Sequence, residues 1–407
     1  MGNQPATATQ TTTLTALMKT YYDRKLLELA EPVMVADKLA DHSRDIPQKE
    51  GKTVNFTRYV ALAKVTSSTD EGANPTVIEM MAFDFEKTVA KYSSSISLSE
   101  TLQLTAYDDV LGGAVELSGT QMGESINYQY RKAMAASFYP MRVDNSTTYA
   151  KSATVTTSTS TTVIRASALD QADHFWTDGV IIFTSGQNKG SAHRVTVFAN
   201  SNAVITFTPA LKETCATTDT FRIVTSAALT AANVVTCAAV ERAVAILKHY
   251  KAPKYDGKYY VGIMSPFVVY DFKQDSAWVN AIHYASPQDI LNGELGKWGG
   301  VRWFEDTEAW TETACDQAAY TETQDIGIGF YVSGGAVNHT PIFGKHAIAG
   351  TRIKGVKDKL IVKVSGPQDT SNPTNAFSMV SWRVFFVAVV LNGLFGVNIL
   401  SGASTVA

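Results

Sequence analysis

The chain has 407 residues, of which 45% are hydrophobic and 18% are charged. This composition is typical of a packed globular protein with two or three domains, and it excludes a chain that is disordered throughout. The 35 basic residues nearly balance the 38 acidic ones, which leaves a net charge of −3. A dedicated nucleic-acid-binding protein is therefore not expected, because such proteins carry a concentrated basic face.

The opening segment, MGNQPATATQTTTLTALMKT, lacks the basic residues and apolar core of a secretory signal peptide, so none is expected. Apolar residues recur at helical spacing from Leu14 to Tyr21, and Pro32 ends the helix that this spacing predicts.

Two alternating segments, VNFTRYVAL from Val54 and MMAFDFEKTVAKY from Met80, predict the strands of a long β-hairpin. The polar segment SSTDEGANPT between them predicts its tip. Strands of about ten residues reach about 30 Å, and an isolated two-stranded ribbon is marginal in water. The hairpin must therefore either lie on another surface or fold back as an edge of its own sheet. The pattern alone leaves both open.

The next segment, from Tyr107 to Tyr139, predicts one long helix of about 30 residues, or about 45 Å. Asp108 and Asp109 favour its N-terminal end because the helix dipole is positive there. Its apolar stripe consists of Leu111, Val115, Met122, Ile126, Met134 and Phe138.

A Ser/Thr-rich tract then begins a run of short alternating strands separated by turn signals. It predicts a small all-β insert over about residues 143–225, folded as a miniature barrel or sandwich. Afterwards helices and strands alternate in an α+β or α/β lobe, with Ser265 and Ser286 as N-caps before proline. Near the end, VFFVAVVLNGLFGVNIL is short for a membrane span and is interrupted by Asn392 and Asn398, which favours a buried strand or strand pair.

Catalytic signatures are absent from the sequence. It contains no GxxxxGK[ST], HExxH or GxSxG, and GIGFYVSGG near Gly327 lacks the spacing of a dinucleotide loop. The seven histidines are scattered, and the three cysteines (Cys215, Cys237 and Cys315) form no CxxC pair. We therefore expect no enzyme activity, no cofactor and no metal site, and we interpret the chain as a structural protein of a reducing compartment.

Three segments in a fixed order carry a family resemblance: ALMKTYYDRKLLELA, IPQKEGKTVNFTRY and NGELGKWGGVRW. Together with the closing WRVFFVAVVLNGLFGVNIL, they resemble the N-four-like major capsid protein family of tailed bacteriophages, over about residues 12–142 and 228–400. The resemblance implies an α+β chain with the HK-97-like capsid fold. The implied domains are an N-terminal arm (1–50), an extended loop (51–100), a peripheral-domain spine helix (101–142), an all-β insertion domain (143–227), an axial domain (228–325), and the peripheral sheet with the C-terminus (326–407).

The resemblance also implies a function in the virion. The chain would be a major capsid protein that self-assembles into hexamers and pentamers, which form the icosahedral head shell around the double-stranded DNA genome. Its partners would be copies of itself, a separate scaffolding protein, a portal and decoration proteins, with no membrane and no sequence-specific DNA binding. Assembly would take place in the bacterial host cytoplasm.

On this hypothesis, residues of the arm and the hairpin make the contacts between subunits. The charges at the hairpin tip, Asp70 and Glu71, would pair with basic residues on a neighbour. The other expected contact residues are Tyr21, Tyr22, Arg58, Phe83 and Phe85. Two alternatives stay open: an encapsulin-like protein compartment with the same fold, and a surface or carbohydrate-binding protein that uses the β insert as its binding module.

Overall fold

The computed structural model describes residues 35–278, 297–307, 311–313, 336–355, 359–363 and 376–404, apart from positions 43, 60, 61, 63, 64, 73, 76, 81, 107, 108, 159 and 256. Several predicted features lie outside these residues: the first helix with Tyr21 and Tyr22, the helix after Ser286, Cys315, and the glycine-rich segment near Gly327.

The helices of the described residues are α1 (Val35–Leu39), α2 (Glu100–Thr105), α3 (Val110–Ser137), α4 (Cys237–His249) and α5 (Pro266–Gln274). The strands are β1 (Thr53–Tyr59), β2 (Ala82–Thr88), β3 (Ala90–Ser99), β4 (Tyr139–Arg142), β5 (Ala150–Thr154), β6 (Thr157–Ser158), β7 (Val163–Arg165), β8 (Val180–Phe183), β9 (Ala192–Ala199), β10 (Val204–Thr208), β11 (Thr220–Val224), β12 (Tyr260–Met264), β13 (Lys297–Trp298), β14 (Val301–Glu305), β15 (Thr311–Thr313), β16 (Ala336–Phe343), β17 (Ile348–Arg352), β18 (Lys359–Lys363), β19 (Phe377–Val390) and β20 (Gly396–Ser401). The chain divides into two compact units, the first formed by Met1–Thr53, Thr88–Tyr130 and Gly350–Val387, and the second by Val54–Lys87, Arg131–Ala349 and Ala388–Ala407.

The predicted long helix is confirmed as α3, which has 28 residues and a length of about 42 Å. Asp109 caps its N-terminus, because its Oδ1 accepts a hydrogen bond from the backbone N–H of Gly112 at 3.1 Å. The predicted apolar stripe is buried at Val115, Met122, Ile126, Met134 and Phe138 and partly buried at Leu111.

In the first unit, a four-stranded sheet is built around the long strand β19. Three strands pair with β19. They are β3 and β18, both in antiparallel register, and β17. Helix α3 packs against this sheet. The indole N–H of Trp382 donates to Oε1 of Gln121 at 3.0 Å, and the rings of Phe386 and Tyr130 lie 6.1 Å apart.

In the second unit, a seven-stranded sheet follows the order β13-β14-β12-β16-β20-β4, with β15 also paired to β16. The apolar face of α4 is buried in the core beside this sheet, at Cys237, Val240, Val244 and Leu247. The predicted cap of α5 is also confirmed. The hydroxyl of Ser265 accepts a hydrogen bond from Val268 N, with proline at the start of the helix.

The β insert of the second unit is a closed barrel, which we call the barrel (residues 150–224). Its strands follow the order β5-β11-β8-β9-β10-β7-β6, and only two residues separate β5 from β6. Val155 N donates to Asp219 O and Thr156 N to Arg165 O, both at 2.8 Å, so one continuous segment joins the two ends of the sheet. The interior is filled by fully buried aromatic and aliphatic side chains such as Trp176, Phe183, Phe198, Phe207 and Phe221. Of the two predicted forms, the miniature barrel is correct.

The segment near the C-terminus forms two core strands, as predicted. Side chains of β19 alternate between buried and half-buried positions, and β20 is buried along its whole length between β16 and β4. Of the helices that the structure describes, none combines the length and apolar character needed to cross a bilayer.

The second predicted hairpin strand is divided in the structure. Only β2 pairs with β1, in a separate two-stranded sheet, whereas β3 joins the sheet of β19. The chain changes partner at Val89, which is buried, and the ring of Tyr92 packs 4.9 Å from Phe386. Aromatic packing against β19 thus shortens the hairpin strand that alternation alone predicts.

Candidate functional site

Within the described ranges, no three His, Cys, Asp or Glu side chains lie close enough to hold a metal ion. Burial raises the pKa of Cys215 to about 11 and that of Cys237 to about 12, so both thiols are protonated at neutral pH and are poor nucleophiles. His339 is buried, and its Nδ1 lies 2.6 Å from the side-chain nitrogen of Asn398, which is a structural role. The other candidates for a functional site are exposed surface features.

The most exposed apolar side chains of the second unit lie at the end of β1 and in the segment that connects β1 and β2. Val77 is 91% exposed, Val65 79% and Met80 69%. We call this set the hairpin surface: Tyr59, Leu62, Val65, Val77, Ile78 and Met80. Groups of exposed apolar residues often mark interaction sites, since moving apolar surface out of water into an interface is favourable.

The strands below this surface are well anchored. The buried ring of Phe56 stacks on Phe85, with 5.5 Å between ring centroids. Arg58 donates hydrogen bonds to the carbonyl oxygens of Lys189 and Leu391. Asp84 forms a 3.7 Å ion pair with Lys212. We call Phe56, Arg58, Asp84 and Phe85 the hairpin root.

The predicted contact residues thus fall into three groups. Asp70 and Glu71 are exposed at the hairpin tip, where a partner could reach them. Arg58 and Phe85 lie in the root and contact their own chain, so an additional contact with a neighbour stays a prediction for them. Phe83 lies in β2 and its side chain is outside the described residues, as are Tyr21 and Tyr22.

The hairpin surface itself was not among the predicted contact residues. Its signal in the sequence is the apolar run VIEMM (Val77–Met81), which directly follows a Pro- and Gly-containing turn and breaks strict alternation. An apolar run in a polar tip is either buried within its own chain or contacts a partner, and the sequence alone does not decide between the two.

Two smaller exposed apolar groups lie elsewhere. In the first unit, Leu102 and Leu104 of α2 are exposed, and so is Leu117 of α3. In the second unit, Phe267 and Tyr270 of α5 are exposed three positions apart, which puts them on one side of the helix. The described residues therefore present several exposed apolar surfaces.

No protein-family model and no curated protein matches the sequence. Among solved structures, the chain is similar to the capsid asymmetric unit of cyanophage Pam1, with 15% sequence identity, a TM-score of 0.50, and coverage of 88% of this chain and 86% of that chain. It is also similar to the capsid of Ralstonia phage GP4, with 14% identity, a TM-score of 0.50 and 91% coverage of each chain. The likeness extends over most of both chains. The chain therefore has the α+β, HK-97-like capsid fold that the sequence resemblance implies.

Proposed function

We propose that this chain is the major capsid protein of a tailed bacteriophage. It self-assembles into hexamers and pentamers that form an icosahedral head shell. The observation that carries the proposal is the hairpin surface, whose apolar side chains stay in water on a single subunit of a fold found in phage shells. Contact with a neighbouring copy would remove them from water.

The physical advantage of such a hairpin lies in repetition. When each subunit places its hairpin on the next subunit head to tail, the interface is heterologous and closes into rings. One such contact is small, but many contacts per subunit reinforce one another through a high effective concentration. Asp70 and Glu71 at the tip would add pairing with basic residues of the neighbour, which favours one register over others.

The charge of the chain suits a container for DNA. With a net charge of −3, the shell would enclose the genome without gripping it, because a strongly basic lining would bind phosphates and resist packaging. Free capsomers should therefore bind duplex DNA weakly. Tight, salt-sensitive binding measured by titration would contradict this part of the proposal.

The remaining components follow from the proposed function. A separate scaffolding protein and a portal would act during assembly in the host cytoplasm, decoration proteins would bind the finished shell, and the chain would remain in the virion as a structural protein without enzyme activity. The barrel is placed on the outer face of the capsomer in this proposal, since an addition there disturbs packing least.

Electron microscopy of the overexpressed protein, with its scaffolding protein supplied, tests the proposal directly. The full chain should form closed particles, and a variant that lacks residues 64–80 should give soluble subunits without shells. As a matched control, Val197→Ser changes an exposed apolar residue of the barrel and should leave assembly intact. Normal particles from the deletion variant would contradict the assignment of the hairpin.

Enzyme cargo instead of DNA in particles from infected cells would favour the encapsulin-like alternative.

A further inference from the structure

The barrel contacts the hairpin root through two of its loops. The turn between β8 and β9 provides the carbonyl of Lys189, which accepts a hydrogen bond from Arg58. The segment after β10 provides Lys212, which pairs with Asp84 at 3.7 Å. The two loops are more than ten residues apart in sequence, and one touches each strand of the hairpin.

Arg58 lies where several backbone segments meet. Its guanidinium also donates to the carbonyl of Leu391, at the end of β19, at 3.4 Å. Partial burial lowers the pKa of Arg58 to about 10, which leaves it charged at neutral pH. A half-buried guanidinium without acceptors would be destabilising, so these two carbonyls fix its position.

The approach of the β8–β9 turn to Arg58 requires a glycine. Gly190 has a φ of +81°, and a Cβ at this position would lie 2.8 Å from Arg58 Nη1 and 2.5 Å from the side-chain oxygen of Asn392. The carbonyl of Gly190 also accepts a hydrogen bond from Gly393 N at 3.0 Å. The turn is thus in direct contact with both the root and the chain that follows β19.

A cleft of about 620 Å³ is lined by Arg58, Asp84 and Phe85 of the root, by the end of α3 and by the two barrel loops. Because the root touches the barrel through β1 at Lys189 and through β2 at Lys212, the contacts restrain rotation of the hairpin more than a single contact would. The barrel is a rigid support for such contacts, since the continuous segment from β5 to β6 joins the two ends of its sheet.

We propose that the barrel is the anchor that sets the orientation of the hairpin, with Arg58 and the Asp84–Lys212 pair as its positioning residues. The insert then has a function within its own subunit, in addition to any on the capsomer surface. Any effect of this anchor on particle assembly rests on the proposed function, whereas the contact between the barrel and the hairpin does not.

Hydrogen–deuterium exchange of the full-length, unassembled chain tests the anchor. Arg58→Met should speed exchange of the β1 and β2 amides about 10- to 100-fold, because hydrogen bonds from a charged donor are lost. Exchange of the barrel strands β8–β10 should stay as in the wild type. Unchanged exchange in β1 and β2 would overturn the proposal.

The ion pair gives a second test that does not depend on Arg58. Asp84→Lys places two like charges together and should speed exchange in β2 about two- to fivefold, and the double variant Asp84→Lys/Lys212→Asp should restore it. The matched control is Asp170→Lys, which breaks the 3.1 Å pair with Lys151 elsewhere in the barrel and should leave the hairpin unaffected. If Arg58→Met also speeds hydrogen exchange in the barrel, the charge-reversed variants decide whether the barrel anchors the hairpin. Unchanged hydrogen exchange in β2 of Asp84→Lys would then refute the anchor. Particle assembly is scored separately, so that a wild-type chain without shells would count against the proposed function alone.

Discussion

The barrel and the hairpin are both built from strands in which apolar and polar residues alternate. Of the two, the barrel closes its sheet and buries its apolar side chains within its own fold. In the barrel, the segment from β5 to β6 pairs with β11 at one end and with β7 at the other, which closes the sheet. Its apolar face, including Trp176 and Phe183, is fully buried. In the described part of the chain, the hairpin is a two-stranded sheet, and Val77 in the segment between its strands remains 91% exposed.

The difference shows that burial is decided by the number of strands and their closure, not by the pattern of each strand. A closed sheet has an inside that its own side chains fill. A two-stranded ribbon has none, so its apolar side chains need a surface from elsewhere. Substitutions in the barrel should accordingly change the stability of the single chain, whereas substitutions on the hairpin surface should change only what happens between chains.

The largest expected effect is in the barrel core. Phe183→Ala removes a fully buried ring that lies within about 6 Å of the rings of Phe207 and Phe221. The free energy of unfolding should fall by about 3–5 kcal/mol, because transfer free energy is lost and a cavity is left. Denaturant unfolding of the unassembled chain, followed by exchange of the barrel amides, measures it. A loss below about 1 kcal/mol would mean that the barrel is not a tightly packed unit.

The barrel should also respond to acid through His193. This side chain is buried, its Nδ1 lies 2.7 Å from the carbonyl of Pro209, and burial together with the nearby charge of Lys87 lowers its pKa from 6.5 to about 4. The unfolded chain binds a proton more readily than the folded one, so stability is present above pH 6.5 and is lost as the pH falls toward 4. The shift corresponds to about 3 kcal/mol. The wild type should therefore lose more stability than His193→Gln across this interval, and parallel pH profiles would contradict the prediction.

Two glycines with positive φ allow a matched comparison of the regions. Gly186 in the barrel has a φ of +76°, and an added Cβ would overlap the carboxylate of Asp219. Gly72 at the hairpin tip has a φ of +83° and no neighbour within 4 Å. Gly186→Ala should lower the free energy of unfolding by about 2–3 kcal/mol, through strain and the clash together. Gly72→Ala should add only local strain of about 1 kcal/mol and leave global thermal unfolding nearly unchanged. Equal effects at the two sites would contradict the difference between the regions.

Much of the fold could be predicted from local pattern. The apolar stripe of α3, the buried face of α4 and the Ser265 cap each depend on residues a few positions apart, and these are properties that a sequence displays directly. The all-β character of the insert was equally visible. Its closure was not, because that depends on the pairing of β5 with β11, strands about 70 residues apart.

The candidate site was harder to predict for the same reason. Alternation marked Arg58 and Phe85 as members of a hairpin, but their partners, Lys189, Leu391 and Phe56, are set by tertiary contacts. The change of partner at Val89 likewise depends on β19, which lies almost 300 residues later in the chain. The exposure of Val65 and Val77 depends on which other segments lie over them, and no single-strand pattern encodes this.

The smallest effect on the single chain, and the sharpest contrast with the barrel, is expected at the hairpin surface. The double variant Val65→Ser/Val77→Ser replaces side chains that are 79% and 91% exposed, so the free energy of unfolding should stay within about 0.5 kcal/mol of the wild type. Under the proposed function, assembly should nevertheless require a several-fold higher subunit concentration, because each lost apolar contact would be repeated at every interface of the proposed shell. Light scattering against concentration, with Val197→Ser as the control, measures the threshold. If the threshold does not change while the fold is intact, the exposed apolar residues of the hairpin do not contribute to contacts between subunits.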